Sequence, residues 1–347
     1  MPATENQRAG KRVSLRGIGI GACVLLLVAN GLVRAEDKLT GSVQVNGSST
    51  VAPIMLAGAE MYRAKEPGVR VTVGVSGTGG GFKKFLEEQP QLRTDINNAS
   101  RPIRESELAK AQSLGVQFIE LPVALDGLSV VVHPQNDFCD SLTVEELKRI
   151  WSPDSKIQNW REIRPSFPDL KLKLYGAGTD SGTFDYFTEV ICGKEKASRS
   201  DFTASENDNV LVQGIAGDKG SLGYLGFSYY EANKTKLKVL GVDRGDGKPV
   251  APSVATIRSG EYYPLSRPLF LYVNAESWKR PEVRSFLDFV FADPKSIVEH
   301  KKVNYVALSD AVYAGTRARL AAGKTGSALS AAAAHGPVDL EKLFQNP

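Results

Sequence analysis

Three stretches of the chain join an extended segment to a helical one through small hydroxyl residues and glycines, the residue types that cradle an anion. Asn46-Gly47-Ser48-Ser49-Thr50 follows a strand pattern at 42–45 and precedes a helical pattern carrying Ile54, Ala57, Met61 and Tyr62. Ser76-Gly77-Thr78-Gly79-Gly80-Gly81 follows the β-branched run 69–75 and precedes Phe82, Phe85 and Leu86. Gly178-Thr179-Asp180-Ser181-Gly182-Thr183 follows the alternating Leu/Lys run 170–175 and precedes Phe184, Phe187, Val190 and Ile191. The first turn of a helix has unpaired N–H groups and the positive end of its dipole. Ser and Thr add hydroxyl donors, and glycine lets a ligand approach the backbone. One such turn reads equally well as a helix cap. Three in one chain point to a shared anion, and a fourth polar segment, Asn97-Asn98-Ala99-Ser100-Arg101-Pro102, offers an arginine.

The elements that position these turns alternate between the two periodicities. Helical patterns are expected at 103–114, 142–151 (with Thr143 as cap), 207–216, within 250–260, and at 282–291, 295–300 and 308–320. Strands are expected at 116–122, at 124–133 with an interruption at Asp126-Gly127, and at 220–227, 236–242 and 264–274. Residues 151–167 read as loop-rich. Beyond Gly323 the Ala- and Gly-rich chain is expected to fray. At 347 residues, with 42% hydrophobic and 24% charged, the chain is long enough for two α/β domains with substantial cores.

Residues 1–35 are set apart. Arg8, Lys11, Arg12 and Arg16 precede a largely apolar run of 17 residues, 17–33, and Val33-Arg34-Ala35 offers small residues for cleavage. This is the pattern of a signal peptide cut near Ala35. An uncleaved anchor is the second reading, and lipid attachment at Cys23 is disfavoured because the apolar run continues past it. Removing 1–35 takes five basic residues and one acidic residue from totals of 43 and 39, leaving 38 of each. A net charge of zero argues against a nucleic-acid partner, and anion binding must come from local geometry rather than a global field. Export favours one disulfide between Cys139 and Cys192, worth roughly 4 kcal/mol on the chain-entropy account, over two buried thiols.

Enzyme chemistry finds little support. The sequence has no Gly-x-Ser-x-Gly, and Gly77–Lys83 lacks the Gly-Lys-Ser/Thr ending of a nucleotide phosphate loop. The three histidines, His133, His300 and His335, are scattered, and no His or carboxylate cluster suggests a metal site or cofactor.

Taken together, GSST at 47–50 followed by Ala52-Pro53, GTGGGFK at 77–83, NASRPI at 98–103, LDGL at 125–128 and GTDSGTFDYF at 178–187 resemble the periplasmic phosphate-binding proteins of bacterial phosphate ABC importers. LTVEELKRIW at 142–151 and GSLGYLGFSYY at 220–230 support the match, which spans about 42–320. The resemblance implies an α/β, two-lobed periplasmic-binding-protein fold of type II. Each lobe would hold a central mixed sheet flanked by helices, and two crossing strands would form the hinge. The first lobe would take 36–126 and 264–328, the second 127–263, with 329–347 a flexible tail. It also implies a periplasmic monomer that captures inorganic phosphate, without a cofactor, and hands it to the membrane permease subunits of the importer.

On the same resemblance the ligand set would be Ser48, Ser49, Thr50, Thr78, Gly79, Gly80, Ser100 and Arg101 on one lobe and Asp180, Ser181, Gly182 and Thr183 on the other, with Asp126 at the crossing. Two departures matter. Many relatives carry an Arg just before the Ser-Gly-Thr, where this chain has Ala177, and an Asp in the segment that here reads Ala99-Ser100-Arg101. Arg101 is therefore the expected cation for the bound anion, and Asp126 a candidate acceptor. Near neutral pH phosphate keeps a P–OH that sulfate lacks, so a buried carboxylate such as Asp126 or Asp180 can discriminate between them by about 10⁴–10⁵. Against this stand capping, turn or surface roles for the same residues. Another oxyanion (molybdate, tungstate, sulfate or arsenate) and a phosphate sensor or scavenger without transport remain as alternative functions.

Overall fold

The fold is given by a computed structural model, which describes residues 38–179, 181–329 and 338–344. The expected signal segment 1–35 and Asp180 lie outside the described residues.

The chain opens with β1 (Gly41–Gly47), α1 (Ala52–Lys65), β2 (Val69–Val75), α2 (Gly77–Phe85), β3 (Ile96–Ala99), α3 (Glu105–Ser113) and β4 (Phe118–Val132). It continues through β5 (Ser141–Thr143), α4 (Val144–Trp151), α5 (Trp160–Ile163), β6 (Lys173–Ala177), α6 (Gly182–Cys192), β7 (Thr203–Ser205), α7 (Asp208–Ala216), β8 (Ser221–Gly226) and α8 (Phe227–Ala232). It closes with β9 (Lys238–Val239), β10 (Gly241–Asp243), α9 (Val254–Arg258), β11 (Ser266–Asn274), α10 (Ala275–Trp278), α11 (Pro281–Ala292), α12 (Pro294–Val298), α13 (Asp310–Ala321) and α14 (Leu340–Phe344).

The main sheet runs β2-β1-β3-β11-β4-β8-β6-β7, with β9 also on β4. β1, β2 and β3 are parallel, while β11 is antiparallel to both β3 and β4. β6 is parallel to β7 and β8, and β8 is antiparallel to β4. Each half of the sheet is thus mixed, and the two lobes share β4. The portion from Phe118 to Gly127 pairs with β11, and the portion from Leu128 to Val132 pairs with β8.

This corrects the expectation of separate strands at 116–122 and 124–133, the second interrupted at Asp126-Gly127. β4 is one strand of 15 residues, all buried. The polar step survives inside it because Arg267 on β11 lies directly opposite Asp126. A buried charge facing a counter-charge in the ladder does not have to end the strand.

Each lobe packs its own aromatic core. In the first, α1 and α11 meet through Tyr62 and Phe286, with ring centroids 5.3 Å apart. In the second, Phe187 of α6 stacks on Tyr224 of β8 at 3.7 Å, and Trp151 of α4 meets Phe187 edge-on at 5.4 Å. The segment read as loop-rich contains α5, capped by Asn159 and anchored by the fully buried Trp160.

Two further expectations differ. The tail is not frayed throughout: α14 buries Leu340 and Phe344 and packs on α13. Cys139 and Cys192 are free thiols, not a disulfide. Cys139 is buried just before β5, where its thiol donates to the Ser141 carbonyl at 3.6 Å, while Cys192 closes α6. Burial pushes the two thiols up to about 12 and about 11 respectively, which favours the protonated form near neutral pH.

Candidate functional site

The site is built around the place where β4 and β11 cross between the lobes. Arg267 Nε donates to Asp126 Oδ2 at 3.4 Å, and Nη2 donates to Thr50 Oγ1 at 3.1 Å. The guanidinium carbon stands 3.6 Å from the ring centre of Tyr186, a cation–π stack. Nη1 is 4.0 Å from Glu189 Oε2. Tyr186 is held in turn by its hydroxyl, which donates to the Pro264 carbonyl at 2.6 Å. The Arg267 and Asp126 side chains are only 10% and 4% exposed. Burial raises the Asp126 carboxyl above the usual carboxylate range, and Arg267 opposes that shift.

Two helix starts converge on this pair. Ser181 is the N-cap of α6, its Oγ accepting from Thr183 N–H at 3.2 Å. Ser48 Oγ accepts from Thr50 N–H at 3.2 Å in the turn before α1. The turns touch: a Cβ placed on Gly182 would sit 2.4 Å from Thr50 Oγ1 and 2.9 Å from Thr50 N, so only glycine permits this approach. Ser49 Oγ donates across to Asp185 Oδ2 at 3.4 Å, and Arg104 reaches Glu189 at 3.6 Å. A cavity of about 260 Å³ opens here, bordered by Ser49, Thr50, Asp126, Ser181–Thr183, Glu206 and Asp208.

The remaining predicted residues form a second group. α2 begins at Gly77, so Thr78, Gly79 and Gly80 lie in its first turn rather than before it. Thr78 Oγ1 lies 3.0 Å from Ser100 Oγ and accepts from Ser100 N–H at 3.1 Å, tying α2 to the end of β3. Gly81 must be glycine because a Cβ there would meet Asn97 Oδ1 at 2.0 Å and Gly47 Cα at 2.5 Å. Arg101 departs from expectation. Its Nη1 and Nη2 donate to Glu107 at 2.9 and 2.8 Å, Nη1 also reaches the Pro102 carbonyl at 3.0 Å, and, like Arg267, it is not among the residues that border the cavity. The Glu107 carboxylate in the first turn of α3 faces the charge expected to meet a ligand.

Arg267 is the site residue that the sequence reading passed over. Its signal was available: a lone cation in the otherwise apolar stretch Pro264–Asn274, with nothing of opposite sign in that strand. Among the described residues no group of His, Cys, Asp and Glu is arranged to hold a metal ion. The arrangement can surround a small oxyanion with hydroxyls, helix-start N–H groups and a guanidinium, beside a carboxyl able to accept a proton from it.

Comparisons agree with this two-lobed α/β architecture. Residues 32–294 match the family model described as a PBP superfamily domain. Protein SphX of Synechococcus elongatus is 46% identical, covering 82% of this chain and 83% of its own length. The phosphate-binding protein PstS of Staphylococcus saprophyticus is 37% identical, covering 87% of this chain and 91% of its own. A crystal structure of a possible phosphate-binding protein from Planctomyces limnophilus is 48% identical and superposes with a TM-score of 0.78 over 82% of this chain and 99% of that one. The chain belongs to the PBP superfamily, in the branch that includes the PstS proteins.

Proposed function

We propose that this protein is an extracytoplasmic solute-binding protein, not an enzyme, that captures inorganic phosphate between its lobes and delivers it to the permease of an ABC importer. One observation carries the reading: Thr50 from one lobe and Ser181–Thr183 from the other converge on the buried Arg267–Asp126 pair. The names of the PstS relatives and of the Planctomyces structure point to the same ligand. Asp126 is the acceptor for the P–OH. On this reading the basic and apolar leader is removed near Ala35, the mature protein works as a periplasmic monomer, and the lobes divide at 126/127 and 263/264.

Calorimetric titration of residues 36–347, freed of bound anion by partial unfolding and refolding, tests this. Tight phosphate binding with far weaker sulfate and molybdate binding is expected, because a site built around a ligand OH rejects an analogue lacking it by about 10⁴–10⁵. Binding of molybdate or sulfate in preference to phosphate would keep the fold and replace the ligand.

A further inference from the structure

We propose that Arg267, on the returning crossing strand, both neutralises the bound anion and clamps α6 of the second lobe, so that charge recognition and lobe closure pass through one guanidinium. This rests on the oxyanion reading above and deepens it by naming the residue that reads the charge.

The geometry separates the two candidate arginines. Arg101 is committed: both terminal nitrogens face the Glu107 carboxylate in a fork, and one also reaches a carbonyl. Its counter-charge lies within its own lobe, whereas those of Arg267, Asp126 and Glu189, lie on the crossing strand and on α6. Among the described residues Arg267 makes two hydrogen bonds, through Nε to Asp126 and through one Nη2 hydrogen to Thr50. A guanidinium carries five N–H donors, so three find no hydrogen-bond partner among the described residues on a side chain that is 10% exposed. A small oxyanion beside Thr50 and Ser181–Thr183 supplies acceptors for them.

The same side chain touches every part that must move. Asp126 is its cross-strand partner in the hinge, and Thr50 belongs to the first-lobe turn. Tyr186, under the guanidinium face, and Glu189, 4.0 Å from Nη1, both lie on α6 of the second lobe. Ser181 starts that helix. Docking α6 on Arg267 therefore also brings the α6 N-terminus to the anion. Lysine cannot reproduce this, because it lacks both the planar face for Tyr186 and the fork for a tetrahedral oxyanion.

Three variants and two readouts test the assignment: phosphate affinity by calorimetry, and compaction on phosphate addition by small-angle scattering, with thermal melts to establish folding. Arg267→Ala is expected to weaken phosphate binding by at least about 100-fold and to abolish compaction. Because Arg267→Ala leaves Asp126 buried without its partner, Arg267→Lys serves as the variant that keeps the charge and the fold. It is expected to lose about tenfold or more in affinity and much of the compaction. Arg101→Ala is expected to bind within about threefold of the parent. Loss of binding in Arg101→Ala with parent-like affinity in a folded Arg267→Lys would overturn the assignment. If the parent binds phosphate tightly and Arg267→Lys binds equally well with full compaction, the clamp is wrong although the phosphate reading stands. If the parent binds no oxyanion, the phosphate reading falls and this assignment with it.

Discussion

Gly182 shows how little room the site leaves for change. Its Cα faces the Thr50 backbone and hydroxyl across the lobe boundary, and an added methyl would have to sit 2.4 Å from Thr50 Oγ1. Neither partner is the loose end of a long side chain, so the lobes themselves must separate. Overpacking of this kind costs about 1–3 kcal/mol. Gly182→Ala is therefore expected to weaken phosphate binding about tenfold, with a nearly unchanged melting temperature in the absence of ligand. Calorimetry beside thermal melts checks this, and undiminished affinity would show that this contact is not part of the bound state. At this scale Ser49, Thr50 and Ser181–Thr183 were legible as candidate ligands from residue type and neighbouring periodicity alone. Arg267 was not, because an isolated arginine in a strand announces no partner until the strand opposite is known.

Among the elements, α6 is the one the site depends on, and it stands on α4. Trp151 at the end of α4 meets Phe187 of α6, which in turn stacks on Tyr224. The start of α4 is a reciprocal cap: Glu146 N–H donates to Thr143 Oγ1 at 3.0 Å, and Thr143 N–H donates to Glu146 Oε2 at 2.8 Å. Arg164 holds the same Glu146 carboxylate at 2.6 Å through Nη2. Thr143→Ala should cost about 1 kcal/mol of stability, the usual value of a cap, and lower the melting temperature by roughly 2–4 °C. Phosphate affinity should not change, because the packed aromatic platform stays in place. A loss of affinity would show that α4 steers α6 directly rather than merely supporting it.

The whole molecule carries a pH dependence seated in the cleft. Asp208, the first residue of α7, borders the cavity. Burial raises its carboxyl to about 6, with the neighbouring Glu206 charge adding to the shift. A carboxyl raised on folding contributes stability that is fully present below its unfolded value near 3.9. That contribution is lost as pH rises through the folded value of about 6. Between pH 4 and pH 7 the parent should therefore lose on the order of 2 kcal/mol relative to Asp208→Asn. Chemical unfolding of both proteins at a series of pH values reads this out, and parallel stability curves would dismiss Asp208 as the source. The balance of 38 basic and 38 acidic residues over 36–347 makes such local pairs and burials, rather than a net field, the decisive electrostatics.

The chain's resemblance to a known family implied the two-lobed class; the sequence by itself determined the α/β pattern, the approximate place of most elements and the turns that carry hydroxyls. It could do so because hydrophobic period, Gly content and helix caps are local quantities that survive without tertiary context. What only the tertiary structure decided were the pairings across the chain. β4 runs through Asp126 because Arg267 lies opposite it in the ladder. Arg101 forks onto Glu107, in the first turn of the next helix. Cys139 and Cys192 stay apart as free thiols although exported chains favour bridging them. In each case the outcome depends on which opposite charge or thiol the fold brings within a few ångströms, and neither residue type nor spacing along the chain contains that distance.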